Sequence, residues 1–178
     1  MLGATFIPPF LVEGGMTIRC AGAWIRKGDA NALLKRASDL AVEIVLMDAD
    51  KVCGVDHLES AVLHARRAFE RQANAANTLG MEVILYASGE RQISKAKKKM
   101  GLHQDTERVA LVVLGPQDAD IEAVLKELGL RRDDALLECS LAKGAAFGIE
   151  AAELGTVGEA LLTDLVLEKV AFVEVLKR

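Results

Sequence analysis

The sequence predicts an α/β fold, a mixed β-sheet with helices packed against it, on three observations. Short apolar runs rich in β-branched residues recur and are separated by segments with helical spacing. Hydrophobic residues make up 51% of the chain while aromatics make up 4%, so the core is built from Ala, Leu, Val and Ile, a composition suited to close-packed helices on a sheet. The length of 178 residues fits one domain of ordinary size, with a core that needs neither disulfides nor metal.

The first fifteen residues, MLGATFIPPFLVEGG, lack a basic start, and Pro8-Pro9 interrupts their apolar stretch. They read as a flexible N-terminal extension (1–15) rather than a signal peptide, leaving 16–178 as the domain. TIRCAGAW, up to Trp24, is a first strand. ANALLKRASDLA follows Gly28-Asp29 with Leu33, Leu34, Ala37 and Ala41 at helical spacing. VEIVLM (42–47) gives a second strand, closed by Asp48-Ala49-Asp50. Two acids invite a metal or general-base reading, but no third ligand sits nearby in sequence, and a turn and helix cap explain them better.

DHLESAVLHARRAFERQ repeats Leu58, Ala61, Val62, Ala65, Ala68 and Phe69 at three and four residues, an amphipathic helix. His57 and His64, seven apart, fall on one side of it and read as partly buried structural or interface histidines. The polar stretch 74–79 leads into MEVILYA (81–87), taken as a buried central strand. Ser88-Gly89 then turns the chain into ERQISKAKKKM, a helix with Ile93, Ala96 and Met100 on one face and Arg91, Lys95 and Lys98 opposite. ERVALVVL (107–114) is another buried strand, ended by Gly115-Pro116, and ADIEAVLKELGL is a helix closed by Gly129. LLECSLAKGAAFGIEAAELG is ambiguous. The tail, GEALLTDLVLEKVAFVEVLKR, carries too many apolar residues for a simple surface helix. Either part of it is a strand or another chain covers its excess apolar face.

The chemistry these residues offer centres on 88–92. A helix N-terminus presents free N–H groups and a partial positive charge, so it favours phosphate or carboxylate. Arg91 adds a bidentate donor and Gln92 both a donor and an acceptor, which suits a nucleic-acid backbone with an exposed base. A net charge of −4 excludes a wholesale nucleic-acid coater but not a local basic site. GxxxxGK[ST], GxGxxG after a strand, HExxH and GxSxG are all missing, so no enzyme, cofactor or metal is expected. Cys53, Ser88 and His57 can be assembled on paper into a nucleophile and base, but nothing in their spacing requires it. Cys20, Cys53 and Cys139 are odd in number and far apart, with no zinc-type spacing, and a reducing cytoplasm is their simplest home.

LMDADKVCGVDHLESAVLHA and ANTLGMEVILYASGERQISKA together resemble the small kinase-binding subunit family of the KEOPS complex (TPRKB-like). The carrying residues are Ala49-Asp50, His57, Ala61, Ala65, Asn77, Met81-Glu82, Ser88-Gly89, Arg91-Gln92-Ile93 and Ala96. The resemblance implies a non-catalytic cytoplasmic subunit that binds the complex's atypical kinase/ATPase. It further implies that this subunit helps recruit tRNA through its single-stranded 3′ CCA end, in support of threonylcarbamoyladenosine modification. RNA would then meet Asn77, Ser88, Gly89, Arg91, Gln92 and Lys95. With the apolar tail it places the kinase contact on Leu161, Leu165, Val166, Lys169 and Phe172. The alternative is a stand-alone small α/β enzyme or ligand-binding protein using the 88–92 anion site.

Overall fold

The computed structural model describes residues 9–11 and 15–177, in two compact units that each close around their own elements. The first combines the described residues up to Ala49 with Leu102–Leu137; the second combines Asp50–Gly101 with the described residues from Glu138 onward.

In the first unit β1 (Phe10–Leu11), β2 (Thr17–Trp24), β3 (Glu43–Asp48) and β4 (Arg108–Gly115) form a sheet in the order β1-β2-β4-β3, and β5 (Arg131–Arg132) pairs with β2. Every pairing among the described strands is antiparallel, whereas the alternation of elements suggested a mixed sheet. The helix α1 (Ala30–Ser38) lies between β2 and β3 in sequence, yet β4 comes between those strands and opposes both. Phe10–Leu11, within the expected flexible extension, pair with Ile18 and Thr17; the rest of 1–8 and 12–14 lies outside the described residues. One apolar cluster joins Ala21 and Ala23 of β2 and Val109, Leu111 and Val113 of β4 to Leu33 and Ala37 of α1. It also takes Val124, Leu125 and Leu128 of α5 (Ile121–Leu128). Gly129 ends α5 with φ of 70°, as its position after the last periodic residue predicts.

The second unit is helical. α2 (Val55–Glu70) is the amphipathic helix, burying Leu58, Ala61, Val62, Ala65 and Ala68. Next to it stands the main correction to the sequence reading: MEVILYA is not a strand but lies within α3, Leu79–Ser88. The Thr78 hydroxyl accepts from the Met81 N–H and Gly89 closes the helix in the left-handed region, φ 69°. α4 (Ile93–Met100) follows after four residues and buries Ala96 and Met100. The ambiguous segment starts in a 3-10 turn that belongs to the first unit, Asp134–Leu137, and gives the second unit the short helices α6 (Leu141–Phe147) and α7 (Ala151–Val157).

The tail is one helix, α8 (Leu162–Leu176), so its strand alternative is set aside. It buries Leu162, Val166, Val170 and Val173, at intervals of three and four. A second finding is one that cysteine spacing did not reveal: Cys53 and Cys139, 86 residues apart, form a disulfide, and Cys20 is buried outside it.

Candidate functional site

The site grows from the turn between α3 and α4. α3 runs out at Ser88, whose hydroxyl donates to the Leu85 carbonyl (2.7 Å) and accepts from the Glu90 N–H (3.1 Å). Gly89 reverses the chain, its N–H donating to the Tyr86 carbonyl (3.0 Å). Gln92 then begins α4 in extended conformation without a side-chain cap, and its carbonyl accepts from Ala96 (2.9 Å). The first turn of α4 is therefore uncapped by any side chain and faces the bend that carries Arg91 and Gln92, both exposed. Among the described residues the Arg91 guanidinium has no hydrogen-bond or ion-pair partner. Glu90 lies 3.9 Å from Lys99 and Asp105 pairs with Lys27.

Beneath the turn sits a buried polar device. His57 is fully buried; its Nδ1 accepts from the Cys53 N–H (3.1 Å), which leaves the proton on Nε2 to donate to the Ala87 carbonyl (2.8 Å). Burial pushes the imidazole down to about 4, and Lys99 and Lys143 push in the same direction, so it is neutral near pH 7. Phe147, at the end of α6, meets His57 edge-on with ring centroids 5.3 Å apart. On Phe147 in turn lies the Lys99 ammonium, 4.0 Å from the ring centroid. Burial holds Lys99 below its ordinary value, and Lys169 and Lys51 add repulsion against the opposing pull of Glu90.

Residues expected at two separate contacts lie close together here. Lys169, expected at a kinase contact, backs onto the turn: a Cβ on Gly89 would lie 3.6 Å from Lys169 Cβ and 3.4 Å from Phe147. Lys169 Nζ pairs with Glu153 at 2.8 Å. Lys95 is exposed on α4, beside Lys97 and Lys98. Arg91 and Gln92 thus lie exposed on the bend and Lys95 on the helix after it, while the Lys169 ammonium is held by Glu153 and that of Lys99 lies on Phe147.

Other expectations separate or sink. Asn77 is exposed but precedes α3, so a ten-residue helix, about 15 Å at the usual rise, stands between it and the turn. Ser88, expected as an RNA contact, is fully buried and its hydroxyl is engaged within the chain. Val166 is fully buried in a cluster with Cys53, Phe147, Ile149 and Leu162, and Leu165 packs against that cluster from its edge. Neither is the open contact expected. Leu161 (43% exposed) and Phe172 (51%) are open, and Val175 (57%) and Leu176 (37%) join Phe172 on one face of α8. Phe147 and the inward role of Lys99 were missed because residues 45 or more apart in sequence carry no local sign of contact; Val175 and Leu176 follow from helical spacing once the tail is one helix.

His64 stacks on Tyr86 (5.4 Å) and its Nδ1 lies 3.1 Å from a Glu174 oxygen, so both histidines of α2 serve packing. Among the described residues no three His, Cys, Asp or Glu are grouped to hold a metal, and no helix is long and apolar enough to cross a membrane.

Residues 28–139 match the family model described as kinase binding protein CGI-121. No curated protein matches the chain.

Proposed function

The chain belongs to the kinase binding protein CGI-121 family, and from that premise we propose that it is a non-catalytic cytoplasmic subunit of the KEOPS complex. It binds the complex's atypical kinase/ATPase subunit and helps recruit tRNA through the 3′ CCA end, in support of threonylcarbamoyladenosine modification. The observation that carries the kinase half is the outer face of α8. Phe172, Val175 and Leu176 lie at spacings of three and four, so one stripe of a helix already anchored by Val166, Val170 and Val173 presents large apolar side chains to solvent. A partner surface gains most by covering such a stripe.

The RNA half is supported by the bend after Gly89. A single strand needs a few phosphate contacts and donors for splayed bases rather than a basic surface, and the exposed Arg91, Gln92 and Lys95 supply these in a chain of net charge −4. Lys169, expected at the kinase contact, flanks Gly89 with its backbone and pairs its ammonium with Glu153.

Two measurements on the full chain test the reading. Phe172→Glu should abolish co-purification with the kinase subunit while the thermal midpoint stays within a few degrees, since Phe172 is half exposed; retained co-purification would remove α8 as the interface. Arg91→Ala removes a charge-assisted contact of about 1.5–3 kcal/mol, and therefore about 10- to 100-fold in affinity for tRNA at fixed salt. Wild type should discriminate intact tRNA from CCA-trimmed tRNA. Equal binding of the two would favour the small-ligand alternative at 88–92.

A further inference from the structure

The Cys53–Cys139 disulfide is tied to the bend by a short series of contacts. Cys53 precedes α2, and its N–H is held by His57, whose other ring nitrogen holds the Ala87 carbonyl, two residues before Gly89. Cys139 leads into α6, which delivers Phe147 both to the edge of His57 and against Gly89. A second tie runs beside the first: Lys143 Nζ of α6 donates to the Val52 carbonyl (3.1 Å). Both sulfurs therefore anchor backbone on which the bend rests. Cys53 is fully buried, whereas Cys139 is part-exposed.

We propose that Cys53–Cys139 is a redox-cleavable latch that holds the Ser88–Gln92 bend in its binding form. This rests on the RNA reading of that bend and adds its regulation. The reductant is a dithiol. One of its thiolates attacks Cys139 Sγ, the Sγ–Sγ bond breaks, and Cys53 leaves as thiolate and takes up a proton. The second thiol of the reductant then attacks the mixed disulfide and releases Cys139, so two electrons and two protons pass to the protein and the dithiol becomes a disulfide. With the bond open, the Lys143–Val52 hydrogen bond and apolar packing are left to hold α6 and Phe147 to the segment that positions His57, and the Gly89 turn loses its covalent support.

The test uses the full chain purified without reductant. Thiol titration after denaturation should find one thiol, Cys20, and three would overturn the proposal. Hydrogen exchange then compares the oxidised chain, the dithiol-reduced chain and Cys139→Ser. The amides of Gly89 and Glu90, both hydrogen-bonded, should exchange about tenfold or more faster in the last two, while those of β4 stay unchanged. No change at the bend, or an equal rise throughout β4, would overturn it, the latter because the bond would then merely hold the fold. Affinity for a short RNA ending in CCA should fall about fivefold or more on reduction and return on reoxidation; equal affinity of the two forms sinks the regulation. An oxidised chain that fails to bind this RNA refutes the RNA reading instead, and the exchange result still decides the latch.

Discussion

α3 and β4 are built from nearly the same material and fold oppositely. LGMEVILYAS and RVALVVLG are both apolar runs with buried interiors, yet the first is a helix and the second a strand with hydrogen-bonded neighbours on both sides. β4 obtains backbone partners from β2 along its whole length and from β3 along most of it. α3 satisfies its own backbone and is bounded by Thr78 and Gly89. Within it Glu82 is fully buried, accepting from the Ala75 (3.0 Å) and Ala76 (2.7 Å) N–H groups and pairing with Lys177. An apolar run therefore reports burial; whether it becomes helix or strand depends on its ends and on what other segments offer its backbone.

The largest effect that would break this contrast is Glu82→Ala. It strips the loop before α3 of its acceptor and leaves Lys177, whose side chain is 11% exposed, without its carboxylate. A loss of about 3–5 kcal/mol is expected in urea unfolding, the usual cost of breaking a buried pair. A loss below about 1 kcal/mol would mean that the caps alone define α3.

Acid should also strike beside α3. An unfolded imidazole takes its proton near 6.5, whereas folded His57 takes it only near about 4, so between those values the unfolded chain binds more protons and acidification favours it. The shift corresponds to about 3 kcal/mol lost from pH 7 to 4. The His57 ring resonances followed by NMR should titrate near 4; a midpoint near 6.5 would remove the effect.

Gly89 and Gly129 sharpen the comparison between units, because they end α3 and α5 with φ of 69° and 70°. Replacing either by Ala should cost about 1–2 kcal/mol, the left-handed penalty. Similar thermal shifts are expected, with Gly89→Ala alone lowering RNA affinity. The smallest effects belong to the N-caps: Thr78→Ala and Asp120→Ala each remove a side-chain acceptor, for Met81 and Glu122 N–H, and should each cost about 1 kcal/mol. A Thr78→Ala cost far above that of Asp120→Ala would show that the start of α3 depends on its cap more than α5 does.

Much of the first unit was legible because its signals are local. β2 and β4 end at turns, and α1 and α5 carry apolar residues at helical spacing with Gly129 in the place a C-cap glycine takes. α2 in the second unit was legible for the same reason. α3 was not, since Val83 and Ile84 favour strands while Leu85 and Met81 favour helices, and a run with no exposed residue shows no polar face to reveal its period. At the site, Arg91 and Gln92 were readable as exposed polar residues after a glycine. The burial of Ser88 and Val166 was not, because it depends on which way α3 and α8 turn against their neighbours.

Composition and periodicity by themselves determined an α/β chain built from aliphatic side chains, and the spacing around Ser88-Gly89-x-Arg91-Gln92 carried the family resemblance. Those properties rest on residues within a few positions of one another, where capping, propensity and amphipathic spacing act. Tertiary structure alone decided the antiparallel sheet order, the pairing of Cys53 with Cys139, and the meeting of Gly89, Phe147 and Lys169 at one bend. Each of these joins segments tens of residues apart, and their association is set by the burial of aliphatic surface, which is non-directional and leaves no pattern in the intervening sequence to mark the partners.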